Sequence, residues 1–143
     1  MSSRIYGALC AAFFLAGASA YGEKLDAPGE AEEKSTHILT GTLMEVYSRV
    51  TRDAFNETSH YIGKVRVESI EKGAGIRPGE CVHVRYWRNT KSLQKGITSI
   101  GPNGHHNIPE EGQRRLMCLV KNDDGLFEVY YVSGFKSPDA KKP

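Results

Sequence analysis

Few residues in this chain could do chemistry. It carries five histidines (His37, His60, His83, His105 and His106), three cysteines and a single tryptophan, Trp87. A metal site needs imidazoles or thiolates converging at about 2 Å on one ion. His105 and His106 are adjacent within Asn103-Gly104-His105-His106-Asn107, the densest polar cluster of the chain. They could share an ion only across a bent backbone, with His83 joining if that segment folds back. On these three residues rests one reading, a zinc- or copper-binding protein or metal-dependent enzyme. The plainer reading is a solvated glycine-rich loop bearing surface imidazoles. Covalent and acid–base catalysis find no foothold. There is no G-x-S-x-G, no H-E-x-x-H and no paired-carboxylate spacing. Glu110 and Glu111 are adjacent after Pro109, so their side chains diverge. No catalytic residue and no cofactor is assigned, and a non-enzymatic protein is expected.

The other chemical feature is a face. In Cys81 to Trp87, Val82, Val84 and Tyr86 alternate with His83, Arg85 and Trp87. A period of two puts the first set in a core and the second set outside. A tryptophan beside arginines, Arg85 and Arg88, is a composition that binding surfaces favour. The competing reading has Trp87 capping the core, with Arg85 stacked on it or paired with Glu68. The ligand-binding set expected here is His83, Arg85, Trp87, Arg88, His105 and His106. The segment carrying the two adjacent histidines would fold back over that strand.

The N-terminal segment sets the compartment. Arg4 precedes an apolar run over Gly7 to Leu15, and Ala18-Ser19-Ala20 is a small-residue cleavage pattern. A bilayer span needs roughly 20 apolar residues, more than this run offers. Residues 1–20 therefore read as a signal peptide, with Tyr21 as the mature N-terminus and no membrane span after cleavage. The protein is expected to be secreted or periplasmic and monomeric. Its partner would be an extracytoplasmic protein or carbohydrate. A formal charge of +2 gives no electrostatic case for nucleic acid. Cleavage leaves Cys81 and Cys118. Export would allow them to form a disulfide, but Cys118 lies in the apolar run Leu116 to Val120 and also reads as an inert buried thiol.

The elements that position these residues are strands. Residues 21–36 are polar and read as a flexible arm with at most one helical turn. His37 to Val50 reads as a long bent strand with a bulge at Gly41. Arg52 to Ser59 reads as a polar loop, and Asn56-Glu57-Thr58 is a glycosylation sequon. Tyr61–Ile70, Cys81–Trp87, Arg114–Lys121 and Leu126–Ser133 are the remaining strands. Lys72 to Glu80 is an open connection whose Ile76 plugs one end of the core. Arg88 to Gln113 is a long loop, and Asn122-Asp123-Asp124-Gly125 is a tight hairpin turn. Residues 136–143 form a flexible tail. Five strands closed on themselves hide both valine faces and remove the edges. The fold expected over 37–135 is all-β, a five-stranded antiparallel barrel of the oligonucleotide/oligosaccharide-binding (OB) type.

Thr40-Gly41-Thr42, Lys72-Gly73, Pro78-Gly79-Glu80 and Glu111-Gly112, each at a strand or turn, resemble the netrin-like domains. These include the tissue inhibitors of metalloproteases, and small exported bacterial proteins share the fold. The resemblance spans His37 to Phe135 and implies a secreted OB-type barrel. It implies little about function, because the matching motifs are turns and strand starts. The inhibitors bind a protease zinc through an N-terminal cysteine. Here Tyr21 stands in that place and the first cysteine after it is Cys81. Protease inhibition by that route is not implied, and the family's several disulfides are absent.

Overall fold

The structure is a computed structural model that describes residues 26–93 and 103–139. The proposed signal peptide (1–20), the start of the arm (21–25), part of the long loop (94–102) and the end of the tail (140–143) lie outside the described residues. The elements are α1 (Glu30–Lys34), β1 (His37–Arg52), β2 (Asn56–Lys72), β3 (Cys81–Ser92), β4 (Arg114–Lys121), β5 (Phe127–Val129) and β6 (Phe135–Lys136). The protein is predominantly β. Strand order runs β1-β2-β3-β5-β4, and β4 pairs again with β1, so five strands form a ring with β6 added to β4. The expected all-antiparallel arrangement is corrected at one seam. β3 and β5 run parallel, Val84 beside Phe127 and Arg85 beside Glu128. The chain crosses over through β4 before it reaches β3's free edge, and it arrives there in the same direction.

Alternation explains the core. Leu39, Leu43, Val65, Val67, Val84, Met117 and Leu119 are all 0–1% exposed, with Val82, Tyr86 and Val129 beside them. Every second residue of each strand points inward, and each buried aliphatic side chain contributes about 1.5–3 kcal/mol. Met117 takes the core position, while Leu116 packs against a smaller cluster of Ala31, Ile38 and Cys118. Phe127 is only half-buried, and it meets His37 edge-on at 5.0 Å. Ile76 packs against the main cluster. The bulge at Gly41 is present as a register shift between Thr40 and Gly41. A Cβ there would lie 2.6 Å from Val65 Cγ1 and 2.7 Å from the Arg66 carbonyl oxygen, so the strands approach too closely for any side chain.

Four segments differ from their sequence reading, and one is Arg88 to Ser92, which continues β3 instead of opening the long loop. Arg52 to Ser59 is a hairpin rather than a loop. The Asp53 carboxylate accepts the N–H groups of Phe55 and Asn56, both at 2.7 Å, and β2 starts at Asn56. An Asx turn needs no glycine, and strands solvated on both faces show no apolar alternation. Residues 26–36, read as a flexible arm, are packed in place. Ala31 is 1% exposed, Asp26 Oδ2 accepts the N–H groups of Val132 and Ser133, and Lys72 Nζ donates to the carbonyls of Glu32 and Glu33. β5 stops at Val129, because the chain turns through Tyr130 to Gly134, closed by Gly134 N–H donating to Tyr130 O at 2.8 Å. The turn Asn122 to Gly125 forms as read, with Gly125 N–H donating to Asn122 O at 2.9 Å. Among the described residues no helix is long and apolar enough to cross a membrane.

Candidate functional site

The phase of β3 is as the sequence requires. Val82, Val84 and Tyr86 are buried, His83 is exposed, and Arg85 and Trp87 are partly covered. Cross-strand pairing then assembles the outer face. Tyr47 lies opposite Ile62, and Arg49 lies opposite His60. Ile62 in turn lies opposite Arg85, and His60 opposite Trp87. Arg85 lies beside Glu128 of β5. Directly paired residues share a face. One row is thus Tyr47, Ile62, Arg85 and Glu128, and the next is Arg49, His60 and Trp87. Together with Tyr131 they line a groove of about 630 Å³. Tyr47 and Ile62 are 58% and 43% exposed, so part of the groove is apolar surface in contact with water.

Trp87 is covered by the protein itself. Tyr131 stacks on it, with centroids 5.5 Å apart and planes 8° from parallel, and His105 meets it edge-on at 6.1 Å. The covering histidine arrives by backbone pairing. Residues 103–105 run alongside β3, where Asn89 N–H donates to Asn103 O and His105 N–H donates to Trp87 O, both at 3.0 Å. Gly104 makes this approach: its φ is +102°, and a Cβ there would lie 2.5 Å from both Arg88 Cα and Trp87 O. The long loop therefore folds back on β3, as read, but along its edge rather than across its face.

His105 is 5% exposed, not a rim residue. Its Nδ1 lies 3.2 Å from both the N–H and the carbonyl oxygen of Trp87, and its Nε2 lies 2.8 Å from Val129 O. Nδ1 thus meets both a donor and an acceptor of Trp87, so it can accept in the neutral ring and donate in the charged one. Burial holds its pKa below the ordinary imidazole value, outweighing the backbone hydrogen bonds to Val129 and Trp87 that raise it.

Arg85 does not reach Glu68. Its Nη2 lies 3.2 Å from Asp124 Oδ2 and 3.3 Å from Glu128 Oε1, while its Nε is buried without a hydrogen-bond partner. Glu68 pairs with Arg114 at 2.5 Å. Arg88, Asn103, His105, His106 and Asn107 line a second, polar concavity of about 400 Å³. The expected set is thus divided: Arg85, Trp87 and His105 line the groove, Arg88, His105 and His106 line the second concavity, and His83 lines neither. Among the described residues no group of three or more His, Cys, Asp or Glu side chains could hold a metal. Both nitrogens of His105 already face backbone groups. Cys81 is an exposed thiol and Cys118 a buried one, and they are not bonded to each other. Burial pushes the Cys118 thiol up to about 11, so it stays protonated at neutral pH and is a poor nucleophile.

Tyr47, Arg49, His60, Ile62, Glu128 and Tyr131 were not found by sequence reasoning. Register would have revealed four of them, once Asp53 was seen as the start of a tight turn joining β1 and β2. Tyr131 had no signal, because it reaches Trp87 only after the chain leaves β5. No family model, curated protein or solved structure matches this chain.

Proposed function

We propose that this chain is an exported, non-enzymatic binding module on an OB-type barrel, with its ligand held in the groove over β2 and β3. The OB reading is supported by the strand order β1-β2-β3-β5-β4 returning to β1, with β3 and β5 parallel. The netrin-like resemblance rests on the turn motifs of the sequence, and export rests on the N-terminal sequence pattern. The observation that carries the function is the groove itself: exposed Tyr47 and Ile62 beside Arg85, whose Nε is buried without a partner. Apolar surface with a few convergent polar groups is what a recognition site offers. Of the two ligand classes, protein is favoured over carbohydrate. The exposed part of the groove includes aliphatic Ile62, which suits peptide side chains, and one face of Trp87 is already stacked on Tyr131.

The test is a screen of purified protein against a peptide library and a glycan array, repeated with Ile62→Ser. Ile62 is 43% exposed, so the variant should melt within a few degrees of the parent. Peptide hits that weaken about tenfold or more in the variant support the groove. Hits that are indifferent to Ile62 place the ligand elsewhere, and glycan hits alone reverse the choice of ligand.

A further inference from the structure

Among the described residues the outer edge of β1 has a second strand beside only its first half. β4 pairs with β1 only from His37 to Thr42. Beyond that point β1 pairs with β2 alone, through Glu45 to Arg52. The direction of its peptide groups follows from two hydrogen bonds. Val46 N–H points away from β2, donating to Glu111 Oε1 at 3.1 Å, and Asp53 N–H points toward β2, donating to Asn56 O at 3.0 Å. Alternation then sends the N–H and C=O of Ser48 and Val50 outward, where no described strand meets them. Tyr47 and Val50, on opposite faces of this edge, are 58% and 51% exposed. An extended edge with unpaired peptide groups is a template for strand addition.

Charge selects the occupant. From Val46 to Arg52 the edge holds Arg49 and Arg52 and no acidic residue, with Glu45 and Asp53 flanking it. Arg52 is paired with Glu57 at 2.7 Å, and Arg49 has no ion pair among the described residues. The one outward N–H that is already bonded is bonded by a carboxylate, that of Glu111. A second copy paired antiparallel about Arg49 would set that arginine against its own copy across the new ladder, which is unfavourable. We propose that residues 46–52 of β1 take an extended acidic peptide as an added strand. Its acidic side chains would fall on the Arg49 face and its apolar ones on the Val50 face, so it would alternate apolar and acidic residues. This rests on the reading that the ligand is polypeptide, but it places the contact at the edge rather than in the groove.

The probe is a short fluorescein-labelled peptide alternating valine and glutamate, with a valine–lysine peptide as its partner control. Anisotropy titration into the full chain should show saturable binding that weakens with added salt, and the lysine peptide should not bind. Ser48→Pro deletes an outward N–H without touching the β1–β2 ladder, and should weaken binding about tenfold or more, equal to about 1.4 kcal/mol. His83→Ala, at an exposed position that lines neither concavity, should leave it unchanged. If Ser48→Pro fails to fold, the same peptide N-methylated at alternate residues replaces it and should not bind. The inference is overturned by no saturable binding, by equal binding of the lysine peptide, or by self-association that Ser48→Pro abolishes. Binding lost in Ile62→Ser yet kept in Ser48→Pro would overturn the edge and leave the groove standing.

Discussion

The two halves of β1 have one backbone and two fates. His37 to Thr42 lies between β2 and β4, and five of those six residues are buried. Val46 to Arg52 has β2 on one side only, and none of its residues is buried. Composition does not separate the halves, since Val46, Tyr47 and Val50 would suit a core as well as Ile38 and Leu39. What differs is the second neighbour. β4 ends its pairing at Thr42, opposite Arg114, and the chain before it turns away through Gly112, whose N–H donates to Leu43 O at 2.7 Å. β3 meets the same problem in its own far half and solves it differently. There residues 103–105 act as a substitute strand, and His105 closes the gap between the core and the outer aromatics.

If pairing on both sides is what buries the first half, truncation there should be costly. Leu39→Ala removes a side chain that is 0% exposed and should lower stability by about 3–4 kcal/mol. Chemical denaturation reads this directly, and a loss under about 1 kcal/mol would break the contrast between the halves. A smaller effect is expected where β3 is closed by His105. Its folded pKa lies below the usual 6.5, so the unfolded chain binds the proton more readily. Its contribution is complete above that value and is lost as pH falls below it, at up to about 1.4 kcal/mol per pH unit. Melting curves from pH 7.5 to 5 should show that slope for the parent and a flatter one for His105→Gln, while equal slopes would detach His105 from the acid response. The smallest effect belongs to the open half of β1. Val50→Thr should change stability by no more than about 0.5 kcal/mol, because the side chain is 51% exposed. A larger loss in the same denaturation experiment would mean that this edge is covered in solution.

Much of the fold could be read before any coordinates. Strict alternation in Val82, Val84 and Tyr86, and in Val65 and Val67, identified the inward faces, because a strand has one side-chain period and a core has one sign of hydropathy. The same alternation placed Arg85 and Trp87 outside. Polar strands were harder. Arg49 to Thr51 and Thr58 to His60 carry no apolar pattern, since water lies on both of their faces, and the Asx turn at Asp53 joins them without glycine or proline. The arm over residues 26–36 was misread because its attachment depends on one alanine and one aspartate, Ala31 and Asp26, and single residues carry no period.

Local sequence determined which residues of each strand face inward, where the glycines allow close approach, and that the chain forms strands rather than helices. Each of these depends on a residue and its immediate neighbours. The tertiary structure decided which surfaces meet. It set the parallel seam between β3 and β5, brought Tyr131 onto Trp87, turned His105 from a loop histidine into a buried bridge, and left the second half of β1 with β2 as its one strand neighbour among the described residues. These outcomes depend on which strand lies next to which, a relation between residues far apart in the chain, and no local pattern encodes it.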